Sequence, residues 1–362
     1  MKIKKFITLA CTALISTSLL VGCLSKKSNK NVKNQDNSSN VLYVYNWGDY
    51  IDPDLITKFE DETGIDVKYD VYDTNEIMYQ KLKSGNVSYD IIIPSDYMIE
   101  KMKKEDMLAK INYDNIPNYK YIGNEFKDLA YDPTNEYSVP YMWGTVGIIY
   151  NTKKVTDPVD SWNILWNKKY KDQVIMPDSV RDAMAVAEKK LGYSLNTENL
   201  DQIEQAKLEL MKQKKDGLIL AYMVDQVKDV MVGGEASLAV AWSGDAVTMI
   251  ERNPDLAYAL PKEGSNKWFD AIAIPKNAQH KENAEKFINF LCDPENAKQN
   301  VEYIGYSTPN TAAYKLLPKE VQDNKVAYPD PESLKNSEVF IDLPEKILRK
   351  YDEAWLEIKC VY

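Results

Sequence analysis

A regular alternation of strand and helix patterns over residues 41–107 constrains the fold of this chain most strongly. Apolar residues alternate from Val41 and again from Ile65, and the apolar run at residues 90–94 ends in proline, as in a buried parallel strand. A helix pattern follows each strand: one begins at Asp52-Pro53, the next at Asn75, and the third continues to residue 107. Three strands alternating with three helices predict a doubly wound α/β unit.

The first predicted strand ends in residues that suit a ligand. Trp47, Asp49 and Tyr50 follow the apolar run from Val41. Ligands of open α/β sheets bind outside the carboxyl ends of the strands, and aromatic faces beside an acid suit a cation with an apolar body. The alternative is that both rings belong to the core and that Asp49 is an ordinary turn residue.

The same mixture of acids and aromatic rings recurs at other predicted strand ends and turns. Taken singly, each tryptophan is more often a core residue and each aspartate more often a helix cap. Their recurrence where an α/β ligand site should lie favours one shared site. These turns contain Trp47/Asp49/Tyr50, Ser95/Asp96/Tyr97, Asp178/Asp182, Trp242/Asp245, Trp268/Asp270 and Tyr306.

The first residues of the chain predict export. Three lysines within residues 2–5 precede an apolar run over residues 6–21, which is typical of a signal peptide, here residues 1–22. The small residue before Cys23 resembles the lipobox of bacterial lipoproteins, which implies cleavage before Cys23 and a lipid on its sulfur. An ordinary signal peptide cut nearby is the alternative. The polar residues up to position 40 predict a flexible tether, so that residues 23–40 link a membrane anchor to the fold.

Composition argues against several classes of function. Asp and Glu number 55 against 45 Lys and Arg, which disfavours nucleic acid as a partner. The one histidine, His280, makes a histidine-rich metal site or a Ser-His-Asp triad improbable, and the chain has no P-loop, HExxH or GxSxG pattern. We therefore expect no metal and no cofactor. Cys292 and Cys360 could pair, but two distant cysteines define no disulfide framework, and we expect buried free thiols.

Several motifs, in order along the chain, resemble one family: the extracytoplasmic polyamine-binding proteins of bacterial ABC importers, and in particular their spermidine/putrescine-preferring type. The resemblance covers nearly all of the chain after residue 41. The motifs are YNWGDYI at 45–51, ETGIDVKYDVYDTNEIMYQKL at 62–82, YDIIIPSDY at 89–97, YSVPYMWGT at 137–145, RDAMAVAEKKLGYS at 181–194, WFDAIAIP at 268–275 and IGYSTPN at 304–310.

The resemblance implies a two-lobed periplasmic-binding-protein fold of type II. Each lobe would be a mainly parallel sheet flanked by helices, and the ligand would lie in the cleft between the lobes. It places one lobe in residues 41–145 plus 268–314 and the other in 146–267 plus 315–362. It also implies a lipoprotein outside the cell that captures putrescine or spermidine and delivers it to a membrane permease. We expect a monomer.

The resemblance also implies which residues bind the ligand. In the family, aromatic rings enclose the polyamine methylenes and carboxylates meet the ammonium groups. The matching acids are Asp49, Asp182 and Asp270, and the serine of the PS-x-Y turn is Ser95. The matching rings are Trp47, Tyr50, Tyr97, Trp242, Trp268 and Tyr306.

Two departures from the family pattern put the choice of polyamine in doubt. Ser179 stands where spermidine-preferring relatives carry a further acid, and Phe340 stands where they carry a glutamine. Ser179 remains a candidate site residue, and either Asp178 or Asp96 could turn inward to restore the acid count. We predict a spermidine preference that is weak or reversed, and Ser179→Asp should shift the affinity ratio toward spermidine by about tenfold.

Two other functions stay open at this point. The same scaffold could bind another small cation, an anion, a sugar or a ferric ion, although the acids disfavour an anion and the lack of histidines disfavours a metal. The chain could also be a glycosidase that uses Asp182 and Asp270, because paired carboxylates between aromatic walls occur in such enzymes.

Overall fold

The computed structural model describes residues 40–85 and 87–361. Residues 1–22 and Cys23, and with them the predictions of a signal peptide, a lipid site and most of the tether, lie outside this range. Within it, the first helix follows from its own sequence. The Asp52 carboxylate accepts a hydrogen bond from the Asp54 amide, Pro53 opens the helix, and Gly64 ends it at a left-handed φ of 68°.

The first part of the chain alternates strands with helices, as the sequence predicts. The third strand is only two residues long, and the helix after it ends at Lys104 rather than at residue 107. These elements are β1 (Val41–Trp47), α1 (Pro53–Thr63), β2 (Asp66–Tyr72), α2 (Asn75–Lys83), β3 (Ile91–Ile92) and α3 (Asp96–Lys104).

The middle of the chain holds a long crossing strand and a second α/β unit. Three of its elements have no counterpart in the sequence prediction: β6, α6 and β8. The elements are β4 (Ser138–Asn151), a 3₁₀ helix (Trp162–Trp166), β5 (Val174–Pro177), α4 (Val180–Lys190), α5 (Leu200–Lys215), β6 (Ile219–Met223), α6 (Val227–Val232), β7 (Leu238–Trp242), α7 (Ser243–Arg252), β8 (Leu256–Ala259) and β9 (Lys267–Ala273).

The last part of the described chain is helical. Its longest helix packs on α4 and α5, so the C-terminal segment returns to the second α/β unit. The helices are α8 (Lys281–Leu291), α9 (Pro294–Ile304), α10 (Thr311–Leu316), α11 (Lys319–Gln322) and α12 (Glu345–Cys360). None of the helices in residues 40–85 and 87–361 combines the length and the apolar character that crossing a membrane requires.

The strands form a continuous sheet in the order β2-β1-β3-β9-β4-β7-β5-β6, with β8 beside β4. At both ends of this order the strands are parallel: β1 pairs with β2 and β3, and β5 pairs with β6 and β7. The two crossing strands, β4 and β9, pair antiparallel with all their neighbours. Each parallel group therefore presents the carboxyl ends of its strands at one edge.

Strand β4 changes partners midway. Up to Thr145 it pairs with β9, whereas from Val146 onward it pairs with β7 and β8. The strand thus belongs to both halves of the sheet and positions their edges against each other. The predicted lobe boundaries at residues 145/146 and 267/268 stay a prediction.

The cysteine prediction needs one correction. Cys292 is a buried free thiol, as expected, but Cys360 is free and exposed. Cys360 is the last residue of α12, which packs on α5 through its other face, so its side chain is left at the surface.

Candidate ligand-binding cleft

A single cleft, of about 860 Å³ including its open mouth, lies where the strand ends of both sheet halves meet. Aromatic and acidic side chains dominate its walls. Every ligand-binding residue predicted from the sequence lines it: Trp47, Asp49, Tyr50, Ser95, Tyr97, Ser179, Asp182, Trp242, Trp268, Asp270 and Tyr306.

The turn after β1 supplies one wall. The Trp47 indole N–H donates to the Ile93 carbonyl at 2.7 Å, which fixes the ring against the neighbouring strand. Tyr50 is buried and its hydroxyl donates to Asp270 Oδ2 at 2.8 Å. This turn therefore orients an acid that lies on β9, far away in the sequence.

Asp270 is the most enclosed acid among the predicted carboxylates. Ser95, another predicted site residue, forms a β-bridge with Asp270. Burial raises the pKa of Asp270 to about 7, although the hydroxyls of Ser95 and Tyr50 lower it. Its Oδ1 atom is buried and accepts no hydrogen bond from residues 40–85 or 87–361. A buried acceptor of this kind calls for a donor from outside the chain.

Asp182 lies in the first turn of α4, where an acid is favoured by the helix dipole. The Ser179 hydroxyl donates to Asp182 Oδ2 at 2.7 Å. Burial raises the pKa of Asp182 to about 6, and the negative charge of Glu76 adds to the shift. Glu76 in turn accepts a hydrogen bond from the Tyr97 hydroxyl at 2.9 Å. Glu76, Asp182 and Asp270 interact through their negative charges and are here named the Asp270 group.

A second set of acids lies elsewhere along the same cleft and surrounds a lysine. Lys228 Nζ lies 2.9 Å from Asp49 Oδ2, 3.8 Å from Asp245 Oδ1 and 4.0 Å from Asp225 Oδ1. Asp49, Asp225 and Asp245 all line the cleft. Together with Lys228 they are here named the Lys228 group. Burial raises the pKa of Asp245 to about 6 even though the lysine charge lowers it.

Aromatic rings lie between the two acid groups. The Tyr306 ring meets Tyr50 and Trp268 edge-on, with centroids 5.2 and 5.5 Å apart, and the Tyr306 hydroxyl hydrogen-bonds to Asp245. A Cβ atom at Gly244 would lie 2.2 Å from the Tyr306 ring, so a glycine is required there. Trp242, the last residue of β7, completes this wall.

Two further polar atoms of the cleft lack partners. Asn266 Oδ1 and the Trp268 indole N–H are buried and make no hydrogen bond within the described residues. Both residues line the cleft beside Asp270. The Asn266 oxygen is an acceptor, like Asp270 Oδ1, whereas the Trp268 N–H is a donor. The two buried acceptors in a mostly aromatic surrounding suit a ligand with N–H donors and an apolar chain.

The structure separates Asp178 and Asp96, the two acids that could have turned inward to restore the acid count. Asp178 does not line the cleft: its carboxylate accepts from Lys359 of α12 at 2.8 Å. Asp96 lines the cleft but is committed to the backbone, because it accepts from the Phe269 amide at 3.0 Å and from its neighbour's amide at 2.7 Å. Phe340, which stands where spermidine-preferring relatives carry a glutamine, does line the cleft. Its ring stacks against the Arg181 guanidinium.

The sequence prediction missed several lining residues. Glu76 lies in the first turn of α2, four residues after the end of β2, so a search of the residues after each strand could have found it too. The sequence places Asp245 among the acids at strand ends but does not predict that it binds the ligand. Asp225 and its neighbour Lys228 follow β6, a strand whose pattern was not recognised. No cluster of His, Cys, Asp or Glu in the described residues is arranged to hold a metal ion.

Comparison with known families identifies the class of protein. Residues 54–328 match the family described as bacterial extracellular solute-binding protein, and this chain belongs to that family. The match includes strands β2 to β9 and most of the residues that line the cleft; β1 and the turn after it precede the matched range. The fold is accordingly a periplasmic-binding-protein-like α/β fold of the two-lobed type II kind.

Individual relatives within this family have names that state a ligand. The spermidine/putrescine-binding periplasmic protein of Escherichia coli K12 is 42% identical over 303 residues, which cover 83% of this chain and 86% of that protein. Among solved structures, the spermidine/putrescine ABC transporter substrate-binding protein PotD of Streptococcus pneumoniae is 44% identical with a TM-score of 0.76, over 89% of this chain and 99% of that one. The Tp0655 (TpPotD) lipoprotein of Treponema pallidum is 29% identical with a TM-score of 0.78, over 88% and 99%.

Proposed function

We propose that this protein captures putrescine or spermidine outside the cell and delivers it to an ABC permease. One observation carries the proposal: Asp270 presents a buried carboxylate oxygen that has no donor among the residues the structure describes, inside a cleft walled by Trp47, Trp268 and Tyr306. The names of the relatives from Escherichia coli and Streptococcus pneumoniae support the same ligand class.

The physical chemistry of a polyamine fits this cleft. An ammonium group near a carboxylate gains a charge-assisted hydrogen bond, which is about twice as strong as a neutral one. Each ammonium–ring contact adds roughly 0.5–2 kcal/mol. The methylene chain must give up rotamer freedom on binding, so tight binding requires several of these contacts at once.

The protein acts as a binding protein without catalysis of its own. Asp182 is held by Ser179, and Asp270 is held by Ser95 and Tyr50, so both acids are fixed as acceptors. The family to which the chain belongs is one of solute binders. We expect a monomer whose lobes are residues 41–145 plus 268–314 and 146–267 plus 315–362.

Titration calorimetry tests the proposal. Folded protein that begins after residue 40 and has been freed of copurified ligand should bind one putrescine or spermidine per chain. A simple sugar and ferric iron should give no heat. Heat from neither polyamine, on protein whose folding is verified by circular dichroism, would refute the proposed function.

The membrane anchor is a separate part of the proposal. We infer that the Cys23 sulfur carries a lipid, which the lipobox-like residues before it support, as does the lipoprotein from Treponema pallidum. A Cys23→Ser chain should lose label from a radioactive fatty acid and leave the membrane fraction. Unchanged retention of that variant would show that Cys23 is not the anchor.

A further inference from the structure

Lys228 places its ammonium group beside acids of the cleft wall that an ammonium group of the ligand could otherwise have to itself. Its Nζ atom lies within 4.0 Å of three carboxylates, those of Asp49, Asp225 and Asp245, all of which line the cleft. The lysine side chain is only 16% exposed, whereas that of Asp49 is 74% exposed. The lysine therefore approaches from within the protein and meets the acids from behind the cleft wall.

Lys228 is protonated and carries its positive charge at neutral pH. Burial lowers the pKa of the ammonium group, but the carboxylates of Asp245, Asp49 and Asp225 raise it by more, so that it lies above its usual value. Three carboxylates and one fixed ammonium share this part of the cleft. One positive charge of any ligand is thus already supplied by the chain.

The geometry of this group is fixed by a close approach of two segments. Asp225 Oδ2 lies only 2.8 Å from the place that a Cβ atom at Gly48 would take. Asp225 thus packs against the backbone of the turn that carries Asp49, 176 residues earlier in the chain. Since no side chain stands between them, Lys228 reaches acids from both segments at once.

Within residues 40–85 and 87–361, no Lys or Arg nitrogen lies at salt-bridge distance from an acid of the Asp270 group. The charge of buried Arg181 does lower the pKa of Glu76 and of Asp182. Two of the Arg181 N–H donors bond instead to Asn196 Oδ1 and to the Ile341 carbonyl. Negative charge is therefore left for the ligand in the Asp270 group, whereas in the Lys228 group the lysine offsets one of the three carboxylate charges.

We propose that Lys228 is a specificity-determining residue, which compensates the acids around it and so makes the cleft favour a diammonium ligand over a triammonium ligand. This inference rests on the proposed function. A third ammonium group that extends to Asp49, Asp225 or Asp245 must share these acids with Lys228, and two like charges at such distances repel. A diamine can be satisfied by the Asp270 group alone.

Calorimetry with putrescine and spermidine on Lys228 variants tests the inference. Lys228→Met removes the charge and keeps the apolar stem, so the ratio of spermidine to putrescine affinity should rise about tenfold or more. Lys228→Arg keeps the charge and should leave the ratio within about twofold of the wild type. The rise in the affinity ratio should persist in titrations at about 0.15 M salt and above, because salt screens contacts this close only weakly.

Lys207 provides a matched control. It is 11% exposed and pairs with Glu204 at 2.8 Å and Glu357 at 2.6 Å, on helices that do not line the cleft. Lys207→Met should leave the ratio unchanged. An unchanged ratio in folded Lys228→Met, an equal shift in Lys207→Met, or loss of both ligands from Lys228→Met would each overturn the inference.

A wild-type measurement keeps the inference testable should the lysine variants not fold. A spermidine analogue whose aminopropyl ammonium is replaced by a hydroxyl should bind at least as tightly as spermidine. Tighter binding of spermidine by about tenfold would overturn the proposal while leaving polyamine binding intact. Binding of neither putrescine nor spermidine would instead defeat the proposed function itself.

Discussion

The Asp270 group and the Lys228 group place the same kind of side chain in one cleft but differ in how charge is compensated. Around Asp270 the partners are neutral hydroxyls, so burial leaves a carboxylate whose pKa is about 7. Around Lys228 the partner is a buried ammonium group 2.9 Å from Asp49. The number of acids in a polyamine cleft therefore does not by itself give the number of ammonium groups that the cleft accepts.

The largest expected effect contrasts Asp270 with Asp245. Asp270→Asn keeps the shape and removes the charge, and it should cost about 2–5 kcal/mol of putrescine binding because the ligand's ammonium is left without its partner. Asp245→Asn should cost clearly less, since its charge is already shared with Lys228. Titration calorimetry on both variants measures the difference, and equal losses would show that the two groups contribute alike.

A second prediction concerns the Tyr306 ring, which lies between the Asp270 group and the Lys228 group. Gly244→Ala would place a Cβ atom 2.2 Å from the Tyr306 ring, so the ring must move away from Trp268 and from Asp245. We expect a loss of roughly 1–3 kcal/mol, shared between folding stability and ligand affinity. Thermal melting with and without putrescine separates the two. A ligand-induced rise in Tm equal to that of the wild type would contradict a role of the ring in binding.

The third prediction follows from the raised pKa values. Asp270, with a pKa of about 7, and Asp182, with a pKa of about 6, become protonated as the pH falls, and a neutral carboxyl group no longer attracts an ammonium. Putrescine affinity should therefore fall about tenfold from pH 8 to pH 6. Binding at pH 7 should release protons, which appears as different heats in phosphate and Tris buffers. Proton uptake would reverse the sign and refute the assignment.

The smallest expected effect revises the prediction made from the sequence for Ser179. The structure places Glu76 beside Asp182, so the position that Ser179 leaves without an acid already has one nearby. Ser179→Asp would also remove the hydroxyl that donates to Asp182. We now expect the spermidine-to-putrescine affinity ratio to change by about threefold or less. A tenfold rise in calorimetric titrations would favour the original prediction.

Much of the fold could be predicted because the deciding interactions are local. Helix α1 begins at Asp52-Pro53 and ends at Gly64, as its capping residues require. Strand β6 and helix α6 were missed because they are short, five and six residues, and carry no clear periodicity. That omission hid Asp225 and Lys228, although the predicted ligand-binding residues do line one cleft.

The sequence by itself determined the α/β alternation, the helix ends and the residue types at the strand ends, because each depends on neighbours within a few positions. Only the tertiary structure decided which charges meet. The pair between Asp49 and Lys228 spans 179 residues, and the bond from Tyr50 to Asp270 spans 220. The pKa of a carboxylate depends on burial and on charges within a few ångströms, and those are fixed only when distant segments pack together.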